Sequence, residues 1–287
     1  MKIKTKVAWI GTGVMGQPMA THLAEAGYQV SAYNRTYEKA HILEPLVKAH
    51  KDIKSCVQDA DIIFSIVGYP KDVKEVYDEV MTYAKKGAIL VDMTTSSPTL
   101  AKELAQKAMD LGYAILDAPV TGGDIGAKHQ TLSIMVGGDE QTFKTILPLL
   151  KHLGTTITYM GPSGSGQHAK LSNQIAIAGA ISGVAEALVY AKDKDLDLSR
   201  MLQVITGGSA SSWQAIHNGP KMMIKDYAPG FYIKHFLKDL KLALEEKKDL
   251  PLVVLEKVTS LYEQLSHLEM DDLGTQALIE YYLQKTI

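Results

Sequence analysis

The chain has 287 residues, 46% hydrophobic and 22% charged, with 30 Lys and Arg against 32 Asp and Glu for a formal net charge of −2. That length exceeds what one hydrophobic core usually organises, so two domains are expected. The balanced charge lacks the basic excess of a nucleic-acid or anionic-membrane partner, so neither is expected.

The first apolar run, Lys6 to Ile10, reads as a buried strand, and Val14 to Ala26 as a helix. Between them lies Gly11-Thr12-Gly13-Val14-Met15-Gly16, glycines at a strand-to-helix turn, the context that makes this spacing a dinucleotide loop. Gly11 permits the tight turn and Gly13 lets the backbone approach a pyrophosphate. Gly16 lets helix pack on strand, and the helix start offers free N–H groups to the anion. The next run, Tyr28 to Tyr33, ends at Asn34-Arg35-Thr36, where many dinucleotide sites carry an acid. An acid there accepts from the ribose 2′-hydroxyl and repels a 2′-phosphate, whereas a neutral Asn followed by Arg and Thr offers a guanidinium and a hydroxyl. NADP is therefore favoured over NAD, the plain alternative being that Arg35 is a solvated surface charge.

Further runs at Asp61 to Val67, Ala88 to Met93, Ala114 to Asp117, Leu132 to Val136 and Thr156 to Tyr159 alternate with helical patterns. Such alternation predicts an α/β, Rossmann-like domain over residues 1–162, with a mainly parallel sheet. Its functional loops should follow the strands, at Val67-Gly68-Tyr69-Pro70, Met93 to Pro98, and Asp117 to Gly123. The single cysteine, Cys56, cannot form an internal disulfide and reads as an incidental thiol, which suits a reducing, cytoplasmic setting. The first strand begins almost at Met1, so no signal peptide is expected, and no apolar run is read as reaching the length of a membrane span. No metal-ligand spacing such as H-E-x-x-H is present, so the histidines default to surface or packing roles and no metal is expected.

After Gly161-Pro162-Ser163-Gly164-Ser165-Gly166 the pattern becomes wholly helical, predicting an all-helical domain over residues 163–287. A long helix is expected from Gln167 to about Lys192, rich in small residues. Shorter ones follow at Leu198 to Thr206, His235 to Lys248, Pro251 to His267 and Asp271 to Lys285, with Pro251 as a first helical residue and Asp271 as a cap.

Lys170, Asn173 and Gln174 share one face of the long helix. A lysine in the first turns is repelled by the positive helix pole, so it needs another reason to be there. Desolvation in a closed interdomain cleft would bring its pKa from ~10.4 toward ~7–8, where an ammonium donates a proton usefully. A phosphate anchor or a snorkelling surface lysine is the alternative. The Thr121-Gly122-Gly123 turn exposes consecutive backbone N–H groups suited to a carboxylate, or is a plain turn. His129 reads as an exposed loop residue.

Together these residues resemble the β-hydroxyacid dehydrogenases of the 3-hydroxyisobutyrate dehydrogenase and tartronate semialdehyde (2-hydroxy-3-oxopropionate) reductase group, over essentially the whole chain. The matching motifs are Gly11 to Gly16, Asp117-Ala118-Pro119-Val120-Thr121-Gly122-Gly123 with Gly126-Ala127, Gly164-Ser165-Gly166 through Lys170 and Asn173, and Lys238-Asp239-Leu240. The resemblance implies Lys170 as general acid and, in reverse, base. It implies Thr121, Gly122 and Gly123 for the substrate carboxylate, Asn173 for the reacting oxygen or the carboxylate, and Lys238 for cofactor and substrate. Thr95 matches a nicotinamide-ribose contact, with Val67 and Gly68 lining the cofactor. Trp213, His217, Phe231 and Lys234 are expected in the remaining pocket wall.

Thr121 stands where many members have Ser, and Gln174 where some have a second Asn, which bears on substrate fit more than on chemistry. The reading is an NADP-dependent reductase of small carboxylate-bearing semialdehydes or keto acids, forming a homodimer or homotetramer. An imine reductase, which usually lacks this lysine, and a catalytically silent nucleotide-binding module are the alternatives. A decarboxylating 6-phosphogluconate enzyme is disfavoured by the short helical half.

Overall fold

The computed structural model describes residues 5–284. Among the described residues nine strands form one sheet: β1 (Lys6–Ile10), β2 (Gln29–Tyr33), β3 (Lys48–His50), β4 (Ile62–Ser65), β5 (Ile89–Asp92), β6 (Ala114–Asp117), β7 (Val120–Thr121), β8 (Leu132–Gly137) and β9 (Gly154–Gly161). They run in the order β3-β2-β1-β4-β5-β6-β8-β7, with β9 also paired to β8. The six strands from β3 to β6 are parallel, and β8 meets both β6 and β7 antiparallel. The chain moves outward from β1 through β2 and β3 and then returns past β1 to β4. That reversal places a topological switch point at the carboxyl ends of β1 and β4, where α/β sheets hold ligands.

The central strands are buried on both faces, as parallel strands covered by helices must be. Val7 and Trp9 of β1 face one side, packing with Phe64, Val91, Met19 and Leu23. Ala8 and Ile10 face the other, with Ile63, Leu90, Val73, Tyr77 and Leu104. Trp9 stacks on Phe64 with ring centroids 5.3 Å apart. Cys56 is buried in the second of these layers, and burial pushes its thiol up to about 12, so it is inert as a nucleophile.

The chain divides into two compact units, the first ending at Lys170 and the second beginning at Leu171. The sequence changes character at residue 162, but the first turns of the following helix, Ser165–Asp193, are tied to the sheet by bonds described below. The second unit is helical: Leu198–Gly207, a π-helical turn at Gln214–Asn218, Gly219–Met223, Ile233–Glu246, Val253–His267, a 3₁₀ turn at Thr275–Ala277, and Leu278–Gln284. Ile181, Ala185 and Leu188 of the long helix pack with Phe236, Leu240, Tyr262 and Leu265.

Three expectations are corrected. The long helix, with a mean hydropathy of 1.5 over 18 residues, is long and apolar enough to cross a membrane by composition, contrary to the sequence reading. Its buried residues form the core of the second unit. Pro251 does not open its helix, which starts at Val253, because the Leu252 N–H turns back onto Leu250 O at 3.0 Å. Asp271 is not a cap: it lies in a turn whose Asp271 O and Leu273 O accept from Lys234 N and Ile233 N, and Gly274 bridges to Tyr232, so the chain there runs against the start of the helix Ile233–Glu246 and is not helical itself. The last helix begins only at Leu278, and its expected end at Lys285 lies outside the described residues.

Candidate functional site

The glycine loop leaves β1 with Gly11 at φ 94°, a left-handed conformation that favours glycine. A Cβ at Gly11 would run into Ile66 O, and one at Gly16 into Gly11 O. A Cβ at Gly13 would meet nothing within 4 Å, so the loop is open where a pyrophosphate would approach. The Trp9 indole, fully buried, donates to Gly11 O at 3.0 Å and so fixes the loop to the core. Val14 is exposed and Met15 half-buried ahead of the helix Gly16–Glu25.

Thr12 N donates to Asn34 Oδ1 at 3.0 Å, and Asn34 Nδ2 to Thr36 O at 3.0 Å. The Asn34 amide therefore braces the glycine loop against the end of β2, leaving the outward-facing groups to Arg35 and Thr36, both exposed. Arg35 Nη1 lies 3.6 Å from Asp72 Oδ1 in a solvated ion pair. Thr12 Oγ1 is buried and has no hydrogen-bond partner among the described residues.

On the neighbouring strands, Val67 N donates to Thr94 Oγ1 at 3.0 Å, and Thr94 N to Asp92 Oδ1 at 3.1 Å. These bonds shape the half-buried Val67-Gly68 turn and the segment carrying half-buried Thr95. Asp92 Oδ1 also accepts from Ser65 Oγ at 3.0 Å. Burial pushes the Asp92 carboxyl up to about 6, against the pull of its bonds from Thr94 and Ser65. A carboxyl raised on folding contributes stability that is complete below its unfolded value and lost as pH rises through the folded one. Asp92→Asn, whose amide oxygen accepts the same bonds, should therefore gain stability relative to the wild type between pH ~4 and ~6 and no further above it. Urea unfolding at a series of pH values measures the difference, and a constant difference across that window would refute it.

Beside Asp92 in register stands Asp117, at the end of β6. Burial raises its carboxyl also, opposed by bonds from the backbone of Gly164, Gln167 and Gly166. Beyond it, β7 delivers Thr121, and Gly122 and Gly123 follow with φ 130° and 63°, conformations that expose the backbone of the turn. Gly123 opens the helix Gly123–Lys128, and His129 is exposed at its end. Lys170 is buried, 5% exposed, in the second turn of the long helix.

In the second unit, Asn173 Nδ2 donates to Gln174 Oε1 at 3.1 Å, and Gln174 Nε2 to Asp239 Oδ2 at 2.7 Å. Lys238 Nζ lies 3.1 Å from Asp239 Oδ1, close enough for an ion pair but outside hydrogen-bond angles. The buried Asp239 thus orders an amide relay that fixes Asn173 and neutralises Lys238. The sequence places Gln174 on the helix face of Lys170 and Asn173, and Asp239 within a signature, and neither shows that the two are bonded to each other. Exposed Trp213 lies against His217 with ring centroids 4.3 Å apart and planes tilted by 32°, while half-buried Lys234 is paired with Asp272. His235 is pushed down by burial, with Lys238 second.

Residues 6–161 match the family described as the NAD binding domain of 6-phosphogluconate dehydrogenase. Residues 164–282 match that of NADP-dependent 3-hydroxyisobutyrate dehydrogenase. A probable 3-hydroxyisobutyrate dehydrogenase-like protein of Arabidopsis thaliana is 44% identical, over 96% of this chain and 84% of its own. The chain belongs to the β-hydroxyacid dehydrogenase family. This family of NAD(P)-dependent hydroxyacid dehydrogenases includes the 2-hydroxy-3-oxopropionate reductase of Escherichia coli, 40% identical over 86% of each chain. A Mycobacterium tuberculosis 3-hydroxyisobutyrate dehydrogenase, solved with L-serine, superposes with a TM-score of 0.87 at 30% identity, covering 97% of this chain and 99% of its own. The dehydrogenase fold, a mainly parallel Rossmann-like domain followed by a helical one, is thereby the family's fold.

Proposed function

We propose that this dehydrogenase is an NADPH-dependent reductase of small carboxylate-bearing β-semialdehydes or keto acids, with Lys170 as the general acid. The observation that carries the reading is a buried lysine one helical turn beyond a helix start bound to the β5 and β6 strand ends. A solvated surface lysine would not be buried there.

The residues present fit the dinucleotide. Gly13 is open, the Thr12 hydroxyl is buried without a partner among the described residues, and Arg35 and Thr36 stand exposed where a 2′-phosphate would sit. When bound, NADPH supplies the hydride that reduces the carbonyl carbon. Lys170 delivers the proton to the carbonyl oxygen and takes it back in the oxidative direction. Thr121, Gly122 and Gly123 hold the substrate carboxylate by backbone N–H groups and a hydroxyl. Thr95, Val67 and Gly68 contact the nicotinamide half, and Asn173 and Lys238 also take part in substrate and cofactor binding. The role of the chain is thus orientation and proton delivery.

The E. coli relative's name, 2-hydroxy-3-oxopropionate reductase, supports a small semialdehyde acid as substrate. A panel from glyoxylate and succinic semialdehyde to branched semialdehydes, run with both cofactors, tests the assignment. NADPH should give the higher kcat/KM, and a clear preference for NADH, or reduction of cyclic imines alone, would overturn it. Arg35→Ala should cost NADPH about 10–100-fold in affinity, the worth of a charge-assisted phosphate bond, and leave NADH unchanged. Titration of both cofactors by fluorescence measures this. We also place the chain in a homodimer or homotetramer, which a monomeric mass in light scattering would refute.

A further inference from the structure

A helix start leaves backbone N–H groups without intrahelical acceptors, and a residue just before the helix usually caps them. The long helix is capped from elsewhere. Asp117, 47 residues upstream at the end of β6, accepts from Gly164 N at 2.8 Å with Oδ1 and from Gln167 N at 2.9 Å with Oδ2. The approach is so close that a Cβ at Gly137 would meet the Asp117 carboxylate at 2.6 Å, and one at Gly166 would meet Asp117 O at 2.5 Å. Gly164 takes the bend at φ 88°.

Gln167 then returns two bonds to the β5 loop. Its Nε2 donates to Thr94 O at 2.7 Å, and its Oε1 accepts from Ser96 N at 2.9 Å. The residue between those two partners is Thr95. Gln167 is fully buried, so both bonds are made away from competing water. Lys170 follows three residues later on the same helix, one turn on.

We infer that Gln167, seated by Asp117, is the positioning residue of the reaction: one amide sets both the helix turn that carries Lys170 and the segment that carries Thr95. This rests on the reading of Lys170 as the acid. Gln167 itself moves no proton. It fixes where the proton donor and the nicotinamide contact stand relative to each other, and a misplacement near 1 Å is costly to kcat while substrate and cofactor still bind.

The test uses the full chain with the best substrate of the panel. Gln167→Leu should lower kcat by about 10²-fold, with the NADPH Kd and the substrate KM both within about threefold of the wild type. Gln167→Glu reproduces the amide only when protonated, its O–H donating to Thr94 O and its carbonyl accepting from Ser96 N. Its kcat relative to the wild type should therefore recover as pH falls, which Gln167→Leu cannot do. Amide hydrogen exchange over residues 164–170 should rise in Gln167→Leu. Wild-type kcat in Gln167→Leu, unchanged exchange there, or a kcat loss matched by an equal loss of cofactor affinity would each overturn the inference. Should the leucine variant fail to fold, Gln167→Glu decides: a deficit independent of pH, or none, overturns it. Lys170→Ala is run alongside, and full turnover in that variant would sink the reading of Lys170 and not the placement of Gln167.

Discussion

With Lys170 as the proposed proton donor, Lys170→Ala should lower kcat by ~10²–10⁴-fold while NADPH still binds, because the variant would lose the donor and none of the glycine loop. The reduced carbonyl develops negative charge on oxygen, and a buried ammonium can neutralise it by charge and by transfer. Lys170→Arg separates the two. A guanidinium keeps the charge but does not give up a proton near neutral pH, so it should remain slow. Single-turnover kinetics with prebound NADPH read the chemical step directly. Retained turnover in the alanine variant would show that the proton comes from another group.

Gly11→Ala and Gly13→Ala should part company in a way that identifies the loop as a ligand cradle. At Gly11 the chain stands at φ 94° and a Cβ runs into Ile66 O, so alanine should cost about 1–3 kcal/mol of stability and cofactor binding with it. At Gly13 nothing lies within 4 Å of a Cβ, so alanine should leave stability within about 0.5 kcal/mol of the wild type. Its methyl group would occupy the space a pyrophosphate needs, and NADPH affinity should fall on the order of 10²-fold. Urea unfolding without cofactor, paired with calorimetric titration, measures both numbers. Unchanged NADPH affinity in Gly13→Ala would refute the cradle.

The alternation of apolar runs with helical patterns was enough to place the parallel sheet, because each central strand is buried on both faces and reads as a continuous apolar run. β3 and β7 escaped because three and two residues are too few to show a period. β7 nevertheless positions Thr121. The π-helical turn at Gln214–Asn218 has no pattern in sequence that separates it from an ordinary helix. Pro251 and Asp271 carried sound local signals for helix starts, and long-range backbone pairing at residues 232–234 and a tight turn at Leu252 overrode them.

Within the candidate site, residue types were legible and partnerships were not. Asn34 reads from sequence as a group facing a ligand, yet both ends of its amide serve the chain. Asp117 reads as the first letter of a substrate motif, and its bonds to Gly164 and Gln167 join residues 47 and 50 positions apart. The puzzle of a lysine near a positive helix pole is answered by that same carboxylate, which sits on the pole and offsets it. Gln167 had no signal of its own in the sequence, since an amide in a first helical turn is unremarkable until its neighbours on β5 are known.

Trp9 is fully buried beneath the glycine loop, and the chain's other tryptophan, Trp213, is 52% exposed in the second unit. Each unit thus carries its own fluorophore, and the two differ in solvent access. Iodide should quench the red-shifted emission of one and spare the blue-shifted emission of the other. The melting of the nucleotide-binding half can therefore be followed by light apart from that of the helical half, without any label.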